Sequence, residues 1–316
     1  MLFFGSTLSR SMKKAFRILF SLAAIIVCLA TFLSFFGSMI WQLDLFTNFK
    51  LQYAISLLLC VIVLSFTNGK RMAIIAGISL IPNAIAVLPH TSKLSNDGAN
   101  THLKITSINL LKSNHNYQAT INFINTENPD VLVFEEYQSH WHDKLSVALI
   151  NYPYKQTVLR GDSFGIAIYS KEKPSSTTTL TLDQSEVPSL LCKFAVNDSE
   201  VNVLGTHTLP PTSEYYAVSR NQHLKSISEL KIDSLVVIGD LNITPYSSYF
   251  KSMIENSDLE DTRNGFGIQA SWPSWGWIFR IPLDHCLVSK NLAVADRTIG
   301  PYVGSDHYPI TVTLAL

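Results

Sequence analysis

Nine side chains able to bind a metal or move a proton recur where short apolar runs end: Asn109, Glu135, Glu136, His207, Asp240, Asp284, His285, Asp306 and His307, with Asn242 two residues past Asp240. Carboxylate and amide oxygens are what Mg²⁺ prefers, and it rarely takes an all-protein cage, keeping waters instead. Imidazoles beside such a site can meet charge developing on phosphoryl oxygens, and a carboxylate can orient or activate an attacking water. The set therefore points to metal-assisted phosphoester hydrolysis. Each residue alone is weak evidence, because a Glu after a strand is usually a solvated end and Gly239-Asp240 could be an ordinary turn. The combination in this order carries the expectation.

The elements that must position these groups follow from hydrophobic periodicity. Strands are expected at residues 103–109, 131–134, 165–169, 201–206, 235–238, 282–288 and 310–314, and helices at 117–127, near 141–149 and at 215–230. Strands interleaved with helices at this spacing argue an α/β class with helices covering sheet faces. Periodicity leaves the number of sheets open.

Seven stretches carry a resemblance: SINLL (107–111), PDVLVFEE (129–136), GIAIYS (165–170), LGTHTLPP (204–211), VVIGDLN (236–242), PLDHCLVS (282–289) and GSDHYPI (304–310). Together they resemble the endonuclease/exonuclease/phosphatase superfamily over nearly all of residues 103–316. The resemblance implies a four-layer α/β sandwich, two packed β-sheets flanked by helices, with the site at the rim where strands end. It implies Mg²⁺, with Mn²⁺ as a substitute, beside Glu136, Asn109 and Asp306. It gives His207 and His307 as donors to the phosphate, Asp240 as the group that orients or deprotonates water, and Asn242 as a clamp on Asp240 and the phosphate. Asp284 would buttress the His307 ring and favour its imidazolium. Glu135 departs from the usual Gln, and its carboxyl is expected to face solvent, the alternative being added charge beside the metal. His285 alternates away from Asp284 along the strand and is expected to be structural. Trp272 falls near the substrate position. Trp275 and Trp277 could line a pocket rim or touch lipid headgroups, with core packing expected for at least one. Ser163, Phe164 and Arg220 receive no role.

Composition separates a second part. The chain has 316 residues, 47% hydrophobic and 15% charged, with mean hydropathy +0.19, which excludes a disordered, collagen-like or disulfide-dense protein. Residues 1–99 hold eight basic and two acidic side chains, whereas residues 100–316 hold 16 basic and 22 acidic, a net of −6. Three uncharged runs, 18–43, 51–69 and 72–92, each reach the roughly 20 residues needed to cross a bilayer as a helix. They are expected to be three transmembrane helices forming an anchor over residues 1–92, followed by a polar linker (93–102) and a catalytic domain (103–316). Pro82 and Asn83 permit a kink or early exit in the third. With no buried carboxylate, Lys or Arg inside these runs, a transport site is not indicated.

Arg10, Lys13, Lys14 and Arg17 before the first run, and Lys70 with Arg71 between the second and third, place those flanks in the cytoplasm. A loop around Asp44 would lie outside, Lys50 and Lys93 being contrary charges. The catalytic domain is then expected outside the cytoplasm, in the periplasm or extracellular space. The expected partners are the bilayer and a phosphoester substrate, either a small compound or a lipid headgroup. A nuclease is the alternative, disfavoured by the net −6 because duplex binding is driven by phosphate neutralisation. A non-catalytic binding role is the third reading. Cys28 and Cys60 fall in the apolar runs, and Cys192 and Cys286 are expected as buried thiols rather than a bridge.

Overall fold

Apolar helices and alternating strands sort into separate parts in the computed structural model, which describes residues 9–88, 101–197 and 199–316. One compact unit runs to Leu88 and takes in Tyr246–Ser248, and the other holds the remaining residues.

In the first unit, α1 (Arg10–Leu33) starts at Ser9, whose hydroxyl accepts from the Met12 amide at 3.2 Å, and runs into a 3₁₀ turn at Ser34–Phe36. Then come α2 (Trp41–Asp44), a 3₁₀ stretch Leu45–Phe49, α3 (Lys50–Phe66) and α4 (Lys70–Val87). Three helical stretches, Arg10–Phe36, Trp41–Phe66 and Lys70–Val87, are long and apolar enough to cross a membrane. Their seam is built from small and aliphatic residues, Ala24, Ala73, Ala76, Cys60, Leu57 and Leu64, which let helix backbones approach closely. Isoleucines such as Ile26, Ile78 and Ile85 stay exposed on the outside.

The boundaries differ from the uncharged runs. Residues 18–43 are not one helix, because the chain turns at Gly37, where a Cβ would lie 2.9 Å from the Asp44 Cα. Asp44 ends the four-residue α2, and both it and Lys50 are buried, the Lys50 ammonium donating to Ser34 Oγ at 2.6 Å. The charges taken as loop markers are thus internal to the unit. Pro82 does not end α4, and Asn83, fully buried, donates to Thr31 Oγ1 at 2.9 Å and to the Ser79 carbonyl at 2.8 Å. The end of the third run, Lys93 and most of the linker lie outside the described residues.

The second unit contains β1 (His102–Asn109), α5 (Tyr117–Glu127), β2 (Val131–Glu135), α6 (Ser139–Ala148), β3 (Tyr154–Val158), β4 (Ile166–Ser170), β5 (Ser176–Thr181) and β6 (Pro188–Val196). It continues with β7 (Ser199–Gly205), α7 (Glu214–Glu229), β8 (Leu235–Asp240), α8 (Ser248–Glu255), β9 (Leu259–Asp261), β10 (Asp284–Ser289), β11 (Ala293–Ile299) and β12 (Ile310–Ala315). α5 follows the sequence closely: Asn116 caps it through the Ala119 amide, Thr120, Phe123 and Ile124 face inward, and Asn128 stops it at φ 48°. An Asn at that left-handed position is the usual non-glycine terminator.

Two six-stranded sheets form, ordered β11-β12-β1-β2-β4-β3 and β5-β6-β7-β8-β10-β9. Each has one parallel pair at its centre, β1 with β2 and β7 with β8, and each pair is connected through a helix, α5 or α7. Alternation assigns the faces. Val133, Ile168, Val203, Val236 and Ile238 meet between the sheets. Phe134 and Tyr169 point the other way, onto Ile124, Trp141 and Leu145, while Leu204 and Val237 point onto Leu224, Ile227 and Phe250. Each such buried side chain contributes roughly 1.5–3 kcal/mol. The result is the four-layer sandwich, two mixed sheets flanked by helices. Cys192 and Cys286 are free and buried in its centre.

Candidate functional site

Register brings the strand ends to one rim. Asn109 stands opposite Glu135 in the parallel β1–β2 pair, and Asp240 opposite Asp284 in the antiparallel β8–β10 pair. The Asp306-His307 segment leads into β12, whose Ile310 pairs with Ser107 of β1. His207 lies two residues past β7.

Asp240 is the hub. Its Oδ2 accepts from Asn109 Nδ2 at 3.2 Å, a bond that crosses from one sheet to the other, and lies 3.5 Å from His207 Nε2 and 3.6 Å from His307 Nε2. Its Oδ1 accepts from the Asn242 amide at 2.9 Å. Burial alone would raise this carboxyl; His307, His207 and the Asn242 amide reverse that and hold it at about 2. His307 Nδ1 donates to Asp284 Oδ2 at 2.9 Å. Burial would lower this imidazole, but the Asp284 and Asp240 carboxylates, the bond to Asp284 and the more distant Asp306 push it up to about 10. The ring is therefore imidazolium at neutral pH, with its second N–H turned toward Asp240.

Asn242, at φ 47°, aims its side-chain amide at the Thr208 carbonyl (2.8 Å), and the Arg220 guanidinium donates to the Asn242 carbonyl at 3.1 Å. Arg220, which has no role by sequence, thus braces the loop that follows β8. Glu136, at φ 54°, sits just past β2 and accepts from the Lys112 amide at 2.8 Å. Asp306 Oδ2 accepts from the Trp272 indole at 3.0 Å. His285 faces away, buried, its Nε2 donating to the Ile243 carbonyl at 2.8 Å, and burial above all pulls it down to about 4, so it is neutral and structural.

Glu135 corrects the sequence reading. Its carboxyl is fully buried instead of facing solvent, because β8 of the opposite sheet closes over it. Ser107 Oγ donates to Oε1 at 2.6 Å, and Oε2 has no partner among the described residues. Burial, with Asp284 and Asp240 nearby, raises it well above the usual carboxylate range. Gly239 makes this contact possible: at φ 146°, a Cβ there would fall 1.9 Å from the Thr206 carbonyl and 2.8 Å from Glu135 Oε1. A second buried chain was not foreseen. Asp183 Oδ2 accepts from His223 Nδ1 at 2.7 Å, and His223 Nε2 bonds Thr206 Oγ1 at 2.8 Å, fixing the residue before His207. No local motif joins Asp183, Thr206 and His223, and Asp183 and His223 stand in polar stretches, TLDQSE and RNQHLKS, that look like surface. Trp275 and Trp277, one of which was expected in the core, are both exposed, because the turn carrying them leaves the rim.

Two donor sets are available to a cation. Asp240, Asp284 and His307 offer ligand atoms all within 4.8 Å of one another. A metal-bound imidazole must be deprotonated, and His307 holds its proton between carboxylates, so this trio reads as a hydrogen-bonded chain. Glu136, Asn109 and Asp306 are of the hard oxygen type that suits Mg²⁺ or Mn²⁺, and each is held by its own bond, Glu136 by the Lys112 amide, Asp306 by the Trp272 indole and Asn109 Oδ1 by the Leu111 amide at 3.1 Å.

Residues 106–307 match the model of the endonuclease/exonuclease/phosphatase family. The chain belongs to this family. Its members are generally hydrolases of phosphoester bonds and typically depend on a divalent metal. No curated protein matches the chain significantly. Among solved structures of the family, that from Beutenbergia cavernae is 18% identical (TM-score 0.54; 68% of this chain, 72% of that one). That from Bacteroides vulgatus is 19% identical (TM-score 0.56; 69% and 100%). The D. rerio TDP2 structure complexed with a single-stranded DNA product is 13% identical (TM-score 0.59; 69% and 100%). At these identities the likeness is one of fold.

Proposed function

We propose that this family member is a membrane-anchored, Mg²⁺-dependent phosphoester hydrolase acting on a small or lipid-headgroup phosphoester outside the cytoplasm. The observation that carries the chemistry is the Asp284–His307 bond at 2.9 Å, with the Asp240 carboxylate within 3.6 Å of both His307 and His207. His307, as imidazolium, and His207 donate to the phosphoryl oxygens, stabilising charge as it develops. Asp284 positions the His307 ring and keeps it protonated. Asp240, held low, is a weak base, so its part is to accept a hydrogen bond from the attacking water and orient it. Asn242 fixes Asp240 and reaches the phosphate. Glu136, Asn109 and Asp306 would hold the metal, which when bound supplies Lewis-acid polarisation of the phosphoryl group.

The anchor comprises residues 1–92, the linker 93–102 and the catalytic domain 103–316. Arg10, Lys13, Lys14, Arg17, Lys70 and Arg71 support cytoplasmic flanks, and burial of Lys50 withdraws the contrary vote between them. A reporter fused after Leu316 should be active only outside the cytoplasm. Residues 100–316 carry net −6 and no Lys/Arg-rich run, and the DNA product belongs to the TDP2 complex, so no observation on this chain favours a nuclease. The test is hydrolysis of an aryl phosphodiester or phosphomonoester by the purified full chain with Mg²⁺ or Mn²⁺. Activity should vanish with chelator and fall at least 100-fold in Asp240→Asn, removal of a positioned electrostatic group costing about that much. Activity indifferent to both would locate the site elsewhere.

A further inference from the structure

The indole-rich segment at 271–280 has no part in the chemistry above, yet both its ends are tied to the rim. At one end the Trp272 indole donates to Asp306 Oδ2 at 3.0 Å, and Ser274 donates through its amide to the Asp306 carbonyl (2.7 Å) and through its hydroxyl to the Ser305 carbonyl (2.9 Å). At the other, the Arg280 guanidinium lies 4.4 Å from the centre of the Tyr308 ring and donates to its hydroxyl at 3.1 Å. Between these ties the chain makes a 3₁₀ turn, Trp277–Phe279, and leaves the protein. Trp275 is 75% exposed, Trp277 78% and Phe279 56%. Large aromatic side chains normally dominate cores and interfaces, and a contiguous exposed group of them marks a surface that meets something apolar.

The occupant is argued from the chain itself. Residues 271–279 contain no charged side chain, so a polyanionic partner finds nothing to pair with. Tryptophan favours the bilayer–water boundary, where one edge of the ring is apolar and the other wet. Among the described residues the same chain has three helices long and apolar enough to cross a bilayer. Only the 12 residues 89–100 separate Leu88 from the start of the described second unit, a reach of about 42 Å fully extended. A domain so tethered meets a membrane surface at high effective concentration.

We infer that the turn at 275–279 is an interfacial anchor that inserts its indoles into a zwitterionic lipid surface and so presents the His307 rim to phosphoesters lying in that surface. The choice of a lipid-borne substrate rests on the hydrolase reading above; insertion itself does not.

The test uses the full chain reconstituted in phosphatidylcholine vesicles, with lipid brominated at shallow acyl positions as a quencher. Wild type is compared with the double variant Trp275→Ser/Trp277→Ser. The chain has five tryptophans, and the two substituted ones should account for at least half of the bromolipid-quenched emission, largely independent of salt. Equal quenching in wild type and double variant would overturn the proposal. Indoles shielded from aqueous iodide yet untouched by bromolipid would also overturn it, handing the patch to a protein surface or a second copy. In the same vesicles the double variant should lose at least tenfold in hydrolysis of a phosphatidyl headgroup ester while staying within twofold on a soluble aryl phosphodiester. Equal loss on both would make the turn part of the reaction site and overturn its role as an anchor. A wild type inactive on both esters would sink the hydrolase reading, and the quenching result would still decide insertion.

Discussion

Replacing Asp284 with Asn keeps the shape of the side chain and removes one buried negative charge. In the folded protein that charge sits 2.9 Å from His307 Nδ1, and together with Asp240 it overcomes burial to push the imidazole up to about 10. A unit charge about 4 Å away across an effective dielectric of about 20 is worth about 4 kcal/mol, or roughly three pKa units. In Asp284→Asn, His307 should therefore release its proton around pH 7. The sign for stability follows. A His raised in the folded state stabilises fully below its unfolded value of about 6.5, and that contribution is lost as pH climbs through about 10. The variant should thus be less stable than wild type at pH 6 by a few kcal/mol, with the gap closing at higher pH. Histidine-selective NMR titration of the full chain in detergent reads the ionisation directly. The pH profile of kcat/KM for an aryl phosphodiester reads its consequence: an alkaline limb near 10 in wild type should move toward neutrality in the variant. Wild-type His307 titrating at or below 6.5, or an alkaline limb unmoved by the substitution, would refute the reasoning.

Gly239→Ala should lower stability by roughly 3 kcal/mol, from strain at φ 146° and a Cβ 1.9 Å from the Thr206 carbonyl; thermal unfolding in detergent checks this. Glu135→Gln should stabilise the protein, and increasingly so as pH rises. A carboxyl raised by burial is tolerated below its unfolded value of about 4.3 and then costs about 1.4 kcal/mol per pH unit while it keeps its proton. Urea midpoints at pH 5 and pH 8 should show the larger gain at pH 8, and a gain that shrinks would contradict the assignment. The thiols of Cys192 and Cys286, both pushed up to about 12 chiefly by burial, should resist a maleimide in the native protein and react once it is denatured.

Much of the fold was legible because local signals agreed. Residues 117–127 carry an N-cap, an inward stripe and a left-handed Asn stop, and the runs before Asn109 and Asp240 and after His307 are apolar enough to be interior strands. What was missed lacked such agreement. Strand β5 (Ser176–Thr181) shows no buried residue, so nothing in its pattern distinguishes it from a loop. Helix α8 and strand β9 are too short to establish a period. The convergence of strand-end residues was suggested by family likeness, but Glu135 was misread because its burial is imposed by Gly239, a residue over 100 positions away in the opposite sheet. Burial of Asp44 and Lys50 was illegible for the same reason: charge marks solvent only until a neighbouring turn of the chain supplies a partner, as Ser34 does for Lys50.

Asn109 comes from one sheet and Asp240 from the other, and a single hydrogen bond stitches them. The candidate site is therefore a seam, and its alignment is inherited from the aliphatic layer beneath, where Val133 faces Gly205 and Ile168 closes the gap. Trimming or enlarging that layer shifts two halves of one constellation past each other without touching a polar residue. In such an architecture hydrophobic volume itself sets the geometry of polar residues it never touches.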